Sequence, residues 1–541
     1  MKLRILCIIT CLCVLLSTNT FASTLSDNTR VSSTEVDEVE AIAINYITQY
    51  VYNSYLYYTN DLYEGTIHEV LEEQYCTQEQ NDCYSVAGES VSTSVLSDRI
   101  DSFKAASDYF RYIRTTQEIT RYDFAYSPTV IETSITNDSA YVHIYTEISF
   151  KYELDGETAL CGDNYIVYLQ KIQGQWIIVD VQSEELISYG FTDLNTTYSD
   201  RISTFNQMLA GNVDSSTNTS FASLTAESTS TSDYDRAYNV NNAIAYAYTY
   251  TTSAYNESSI GNNSSFLNDN FSDYTNYGGN CQNFVSQCVW AGFGGNDTLE
   301  AVNNHDFPMN DNWYETKSTM AHTASWTSTS FFDYISSSDC EMTTVYGFAN
   351  GNFSGIPLSY LRGAVLHVNP KEDGYSHAVI ITKAIGQSFS DIEICANSPM
   401  RKAVRLCDQL YDDSMRLIMP TAMKSGRTCT GGTHLFTGNH CKCNYCGYNK
   451  LTVTGTMLKP IAAGTTKTIS ASANSSCYRM AICIRYGNTE QWTEYLNTSQ
   501  INKTFTFSNA GLYTITVSAR DVAPSDANSV TATHVFKIRV Y

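Results

Sequence analysis

Two residues, Cys281 and His377, stand in sequence contexts that suit a nucleophile and its base. Residues 279–292 read GNCQNFVSQCVWAG. Gly279 and Asn280 lead into Cys281, and Phe284, Val285, Cys288 and Val289 then recur at helical spacing. Cys281 is therefore expected on the first turn of a helix, where free N–H groups and partial positive charge favour a thiolate. The same N–H groups suit the oxyanion formed when sulfur attacks a carbonyl. Gln282 and Tyr277 are close enough in sequence to line that oxyanion position. Cys288, two turns on, falls on the buried face and reads as an inert core thiol.

A thiol nucleophile needs an imidazole. Of the nine histidines, His377 follows GYS and opens the apolar run HAVIITKAI, so it is expected at the mouth of a buried strand. The preceding strand is LRGAVLHVNP (361–370), which contains His367, and the following one is DIEICANSPM, reaching Asn397. An asparagine there can orient the imidazole. Helix-borne Cys, strand-borne His and a polar residue on the next strand form the chain order of papain-like hydrolases.

A second cluster lies at 429–446: Cys429, His434, His440, Cys441, Cys443 and Cys446. Cys443-Asn-Tyr-Cys446 is a CxxC knuckle, and Cys429 with His434 completes a tetrahedral structural zinc set. Two disulfides satisfy the same residues equally well outside a cell. Either staple suits a segment too small for its own core. No catalytic metal and no organic cofactor is indicated.

These residues must be held by a chain of 541 residues, enough for three or four domains. Residues 1–22 have the form of a secretory leader, with Lys2 and Arg4 before the apolar run Ile5–Leu16 and small residues at Thr20 and Ala22. That run is 12 residues, and a spanning helix needs about 20. No later stretch is long enough to span, so the mature chain is expected to be extracellular, without a transmembrane segment. The formal net charge is −24, and cleavage would remove two more cations, which argues against nucleic acid as a partner. Of 17 cysteines, three lie in the leader; Cys76 with Cys83, and Cys477 with Cys483, are spaced for short-loop disulfides.

The fold class expected is α+β and multidomain. Residues 36–208 combine a long helical pattern (36–80) with strands at 140–154 and 164–185, the latter a hairpin turning at Gln173-Gly174. They resemble the cystatin-like cone folds of the nuclear-transport-factor type, with a structural or docking role. A Ser/Thr-rich linker (209–233) precedes 234–424, the Cys/His knuckle spans 425–450, and 451–541 alternates like an immunoglobulin-like sandwich.

The segments YDRAYNVNNAIAYAYTYTTSAYN, NCQNFVSQCVWAGF, SWTSTSFFDYI, RGAVLHV and YSHAVIIT, with Trp313, resemble the putative amidase domain of secreted, mostly Gram-positive bacterial proteins over roughly 234–420. The resemblance implies a papain-like fold related to cell-wall peptidases, with Cys281 as nucleophile, His377 as base and Asn397 as orienting residue. It implies a peptidoglycan stem peptide or another extracellular peptide as substrate, and leaves a cell-surface ligand for the C-terminal module. The chain departs from the family at Asn280, where Asp is usual, at Gln282, where Thr or Ser is usual, at Ala364, where Gly-Asp is usual, and at Asn397, often His. Those departures favour the alternative of an inactive surface-binding protein on the same fold. An acyl-transferring enzyme, with an amine in place of water, uses the same chemistry.

Overall fold

The computed structural model describes residues 33–56, 83–86, 89–116, 119–183, 234, 236–251, 267–274, 280–349, 353–368, 375, 377–409, 415–424, 439–441, 451–526 and 529–541. The leader, the 209–233 linker, the second half of the expected 36–80 helix and most of the 425–450 knuckle lie outside them. So do Tyr277, Cys76 and the zinc ligands proposed from sequence, Cys429, His434, Cys443 and Cys446. The architecture is multidomain, with large antiparallel sheets and few helices (24% helical, 45% strand). Among the described residues no helix is long and apolar enough to cross a membrane.

The N-terminal part packs α1 (Ser33–Leu56) and α2 (Thr93–Thr116) on four antiparallel strands, β1 (Tyr122–Thr136), β2 (Ser139–Lys151), β3 (Thr158–Ile172) and β4 (Gln175–Ser183). Along β2 the even-numbered residues Val142, Ile144, Ile148 and Phe150 are buried against the helices, the alternation of a one-sided core. The β3–β4 turn places Gln173 and Gly174 both at positive φ (52° and 85°), the geometry of a two-residue hairpin whose twist matches its strands.

The central part contributes α3 (Val240–Thr249), α4 (Cys281–Gly292), β5 (Met342–Ala349), β6 (Val365–Val368), β7 (His377–Ala384), β8 (Ile392–Ala396), β9 (Arg401–Arg405) and β10 (Met415–Met423). The family resemblance over 234–254 implies one continuous helix. Arg236–Ala237 instead pair with Met423 and Ala422, so the helix starts only at Val240, capped by the Asn239 side chain. The strand order β5-β10-β6-β7-β8-β9-β3-β2-β1 shows that the two parts share one sheet. The seam is β9 against β3, with Arg401 opposite Cys161 and Lys402 opposite Leu160. At that seam Gly162 donates its N–H to Met400 O at 3.0 Å. A Cβ on Gly162 would sit 2.2 Å from the Tyr145 hydroxyl, so a larger residue there would displace the Tyr145 side chain.

Asp408 locks the seam. Its carboxylate accepts from Arg114 Nε (2.8 Å), Arg121 Nη2 (2.6 Å) and Tyr152 Oη (2.8 Å), all from the N-terminal part. Burial pushes the Asp408 pKa up, but the Arg121 and Arg114 charges outweigh it and hold the carboxyl below its usual range.

The C-terminal part has two antiparallel sheets with a common core. One holds β11 (Val453–Gly455), β12 (Thr465–Ala473) and β15 (Gln500–Phe507). The other holds β13 (Arg479–Tyr486), β14 (Thr489–Leu496), β16 (Gly511–Arg520) and β17 (Thr531–Val540). Cys477 and Cys483 are both free: Cys477 Sγ donates to Thr498 O and Cys483 lies within β13. Six residues of extended chain separate them by about 20 Å, beyond any disulfide. This part packs on the centre through Asn242, which donates to Gly455 O and accepts from Met457 N–H, and through the Lys537–Asp297 ion pair.

His534 in β17 gives a pH-dependent contribution. Its Nδ1 accepts the Gly455 N–H at 3.0 Å, and burial lowers its pKa to about 4 despite the opposing pull of Asp297. The unfolded chain therefore takes the proton first as pH falls. Stability from this residue is present above about 6.5 and lost towards pH 4, about 3 kcal/mol in all. His534→Asn keeps an acceptor but cannot titrate. Denaturant titrations at pH 7 and 4.5 should show a smaller acid loss in His534→Asn than in wild type. Equal losses would contradict this assignment.

Candidate active site around Cys281 and His377

Helix α4 is buried on every side, from Cys281 to Gly292. A helix buried all round must satisfy each of its polar side chains. Gln282 Nε2 donates to Ser286 Oγ (3.1 Å), and Ser286 Oγ donates to Trp326 O (2.8 Å). Asn283 Oδ1 accepts from Trp326 Nε1 (2.8 Å) and from Gln287 Nε2 (3.1 Å). Gln287 Oε1 accepts from the Tyr246 hydroxyl on α3 (2.8 Å). Trp313 and Trp326, with ring centroids 4.8 Å apart and both fully buried, thus help to hold helix α4 in place.

The residue before Cys281 is a clamp. Asn280 Oδ1 accepts from Tyr274 N–H (2.8 Å) and Asn283 Nδ2 (3.0 Å), and its Nδ2 donates to Asp273 Oδ1. Its own N–H donates to Ser398 Oγ at 3.1 Å. The acceptor half of this clamp asks only for a side-chain oxygen, which Asn supplies as well as Asp.

Cys281 is 9% exposed, and its thiol is stabilised as thiolate by the backbone N–H groups of Ala378, Gln282 and Cys281 itself. Ala378 directly follows His377, so the sulfur sits at the mouth of β7 as the chain order anticipated. The electrostatics differ from the expectation. Burial outweighs the helix N–H groups and leaves the Cys281 pKa raised. His377 is 7% exposed; burial first, and then the Arg401 charge, lower its pKa to about 4. Both shifts favour the uncharged forms, a thiol at Cys281 and a neutral imidazole at His377, at neutral pH.

Asn397 lies just past β8 and is 7% exposed, and its Oδ1 accepts from Ser398 Oγ (3.2 Å). Ser398 links this residue to the start of helix α4. It does so at φ 60°, a left-handed conformation that costs a non-glycine residue about 1 kcal/mol or more. Cys288 is fully buried with its pKa driven well up by burial, an inert thiol.

Three participants carry no sequence pattern. His367, fully buried on β6, holds Gln282 Oε1 with Nε2 (2.8 Å), and its Nδ1 accepts from Arg416 Nε (3.1 Å). Arg401, 1% exposed, is fixed by Gln409 Oε1 (2.8 Å), Met400 O (2.9 Å) and Gly162 O (2.9 Å), so the N-terminal part holds the charge that acts on His377. Glu315, fully buried, accepts the Ser272 N–H, and burial pushes its carboxyl up to about 7. Among the described residues no cluster of three or more metal-ligating side chains occurs.

A family model described as Putative amidase domain matches residues 237–416, which include Cys281, His377 and Asn397. No curated protein matches. Solved structures with similarity include the Kfla4162 protein from Kribbella flavida, at 14% identity over 27% of this chain and 90% of that one, with a TM-score of 0.16. A ketosteroid isomerase-like protein from Erwinia carotovora atroseptica is 17% identical over 28% of this chain and 96% of that one, TM-score 0.14. Scores this low carry no argument about the fold. The family match supports an amidase-like hydrolase around this site.

Proposed function

We propose that the chain is an exported, cysteine-dependent amide hydrolase acting on peptidoglycan stem peptides or other extracellular peptides. The observation that carries the reading is the placement of the Cys281 sulfur, at the start of a buried helix and against the N–H that follows His377. In this reading the central part is a papain-like domain. Cys281 Sγ forms a bond to the substrate carbonyl carbon as its proton passes to His377. The C–N bond then breaks, with His377 returning the proton to the departing amine. Water, deprotonated by His377, attacks the thioester, and the C–S bond breaks to restore the thiol. Asn397 is the residue that would orient the His377 imidazole.

The same proposal makes the N-terminal part a cone-type support and the C-terminal part an immunoglobulin-like module for a cell-surface ligand. It gives the 429–446 cluster a structural zinc or disulfides, and catalysis no cofactor.

The second reading is an inactive binding protein, favoured by the burial that keeps Cys281 protonated. Against it stands the Asn280 clamp, intact although the family's Asp is absent. The test is release of new amino groups from purified peptidoglycan by the mature protein. Release that disappears in Cys281→Ala supports the hydrolase. Undiminished release by Cys281→Ala overturns the cysteine mechanism, and no release from peptidoglycan and extracellular peptides alike supports the alternative.

A further inference from the structure

We infer that Arg416 is the centre of a carboxylate-binding subsite for the substrate, about 10 Å along the sheet from the nucleophile; the inference rests on the hydrolase reading and names its substrate class as peptides with a free carboxylate. Strand register provides the placement. Arg416 on β10 lies opposite His367 on β6, and His367 lies opposite Ala378 on β7. The three residues form one row across three strands, and the last of them touches the Cys281 sulfur through its N–H. Two inter-strand steps span about 10 Å, the reach of about three extended peptide residues.

The guanidinium is presented as a receptor would present it. Its carbon lies 4.0 Å from the Phe332 ring centroid and 4.2 Å from that of Tyr375, so two aromatic rings pack against it. Nε donates to His367 and Nη2 to Thr329 O (2.8 Å), which fixes the plane. Nη1 makes no hydrogen bond among the described residues, and it is not among the buried atoms left without partners. Among the described residues no carboxylate forms an ion pair with this half-buried charge; Asp333, on the short helix Phe331–Ile335, acts on it only through space. A guanidinium stacked, oriented and without a counter-ion among the described residues favours a planar anion from outside. Beyond Phe332 the stack continues to Tyr346, with ring centroids 5.5 Å apart and 43% of Tyr346 exposed, which extends an aromatic shelf along the same rim. Tyr375 lies two residues before His377, so a ligand engaging this stack reaches the segment that carries the base.

The test uses two affinity labels on the full mature protein, bromoacetyl-glycylglycine and its C-terminal amide. Each alkylates a thiol by displacing bromide, and their extended reach from reacting carbon to terminal group is about 9 Å. Wild type should be labelled at Cys281 about tenfold faster by the carboxylate than by the amide, and 0.5 M salt should reduce that ratio. Arg416→Gln should bring the ratio near one, with Arg416→Lys in between because it keeps the charge and loses the fork. A ratio near one in wild type, or an unchanged ratio in Arg416→Gln, overturns the inference. The ratio is independent of how reactive the thiol itself is. The rate with neutral iodoacetamide reports that reactivity separately: a slow Cys281 with an intact ratio would overturn the hydrolase reading and leave the subsite standing. A Cys281 that neither label reaches defeats both.

Discussion

Replacing His377 with alanine is expected to slow amide hydrolysis by about three to four orders of magnitude while leaving the fold intact. The size follows from comparable Cys- and Ser-dependent sites, where losing the base removes most catalysis and leaves only binding and oxyanion stabilisation. It should be at the upper end here, because the Cys281 pKa is raised by burial and the thiol cannot ionise on its own near neutrality. Added imidazole should restore part of the rate to His377→Ala and none to Cys281→Ala. The pH profile carries a second signature. With the imidazole at about 4, the base is already neutral at pH 5, so the acid limb of the rate should fall near pH 4 rather than near the usual 6.5. Arg401→Gln, which removes the nearby positive charge, should move that limb upward. An acid limb that stays at 6.5 in wild type would show that His377 is not the base in the form described.

The largest expected stability effect belongs to Asp408. Asp408→Ala should destabilise the protein by about 3–5 kcal/mol, because it leaves the Arg114 and Arg121 guanidiniums buried without their counter-charge. Side-chain exposures of 0–1% at all three residues leave water little means to compensate. Thermal denaturation should show the loss at neutral pH. In wild type the contribution should weaken on acidification: a carboxyl held below its unfolded pKa stabilises the fold above that pKa and loses the effect as pH falls through the folded one. Because Asp408 follows β9 and Arg401 begins it, unlocking the seam should also loosen the Gly162–Arg401 contact and reduce activity. A loss below about 1 kcal/mol would place this cluster among surface-like ion pairs.

Local features of the site were legible in the sequence because they depend on neighbours a few residues away. The apolar period after Cys281 marks a helix that begins at that residue, and the apolar run after His377 marks the strand that begins there. The Gln173-Gly174 turn was readable for the same reason. What escaped reading is long-range. His367 and Gln282 are 85 residues apart, Arg401 and Gly162 239, and Arg114 and Asp408 294, and none of these pairs has a periodic signature. The shared sheet was hidden by the same cause, since the linker composition at 209–233 suggested independent domains while β9 pairs directly with β3. The direction of the Cys281 shift was missed because a helix N-terminus is visible in sequence, whereas the burial that outweighs it is not.

The measurement that tests the central claim most directly is iodoacetamide labelling of the native protein across pH 4–10, with each cysteine followed by peptide mapping. The account predicts one fast site, Cys281, accelerated by a group titrating near pH 4 and slowed in His377→Ala, while Cys288 and Cys395 stay unlabelled in their buried positions. A Cys281 that is locked in a disulfide, or that labels no faster with His377 present than without it, would contradict the account.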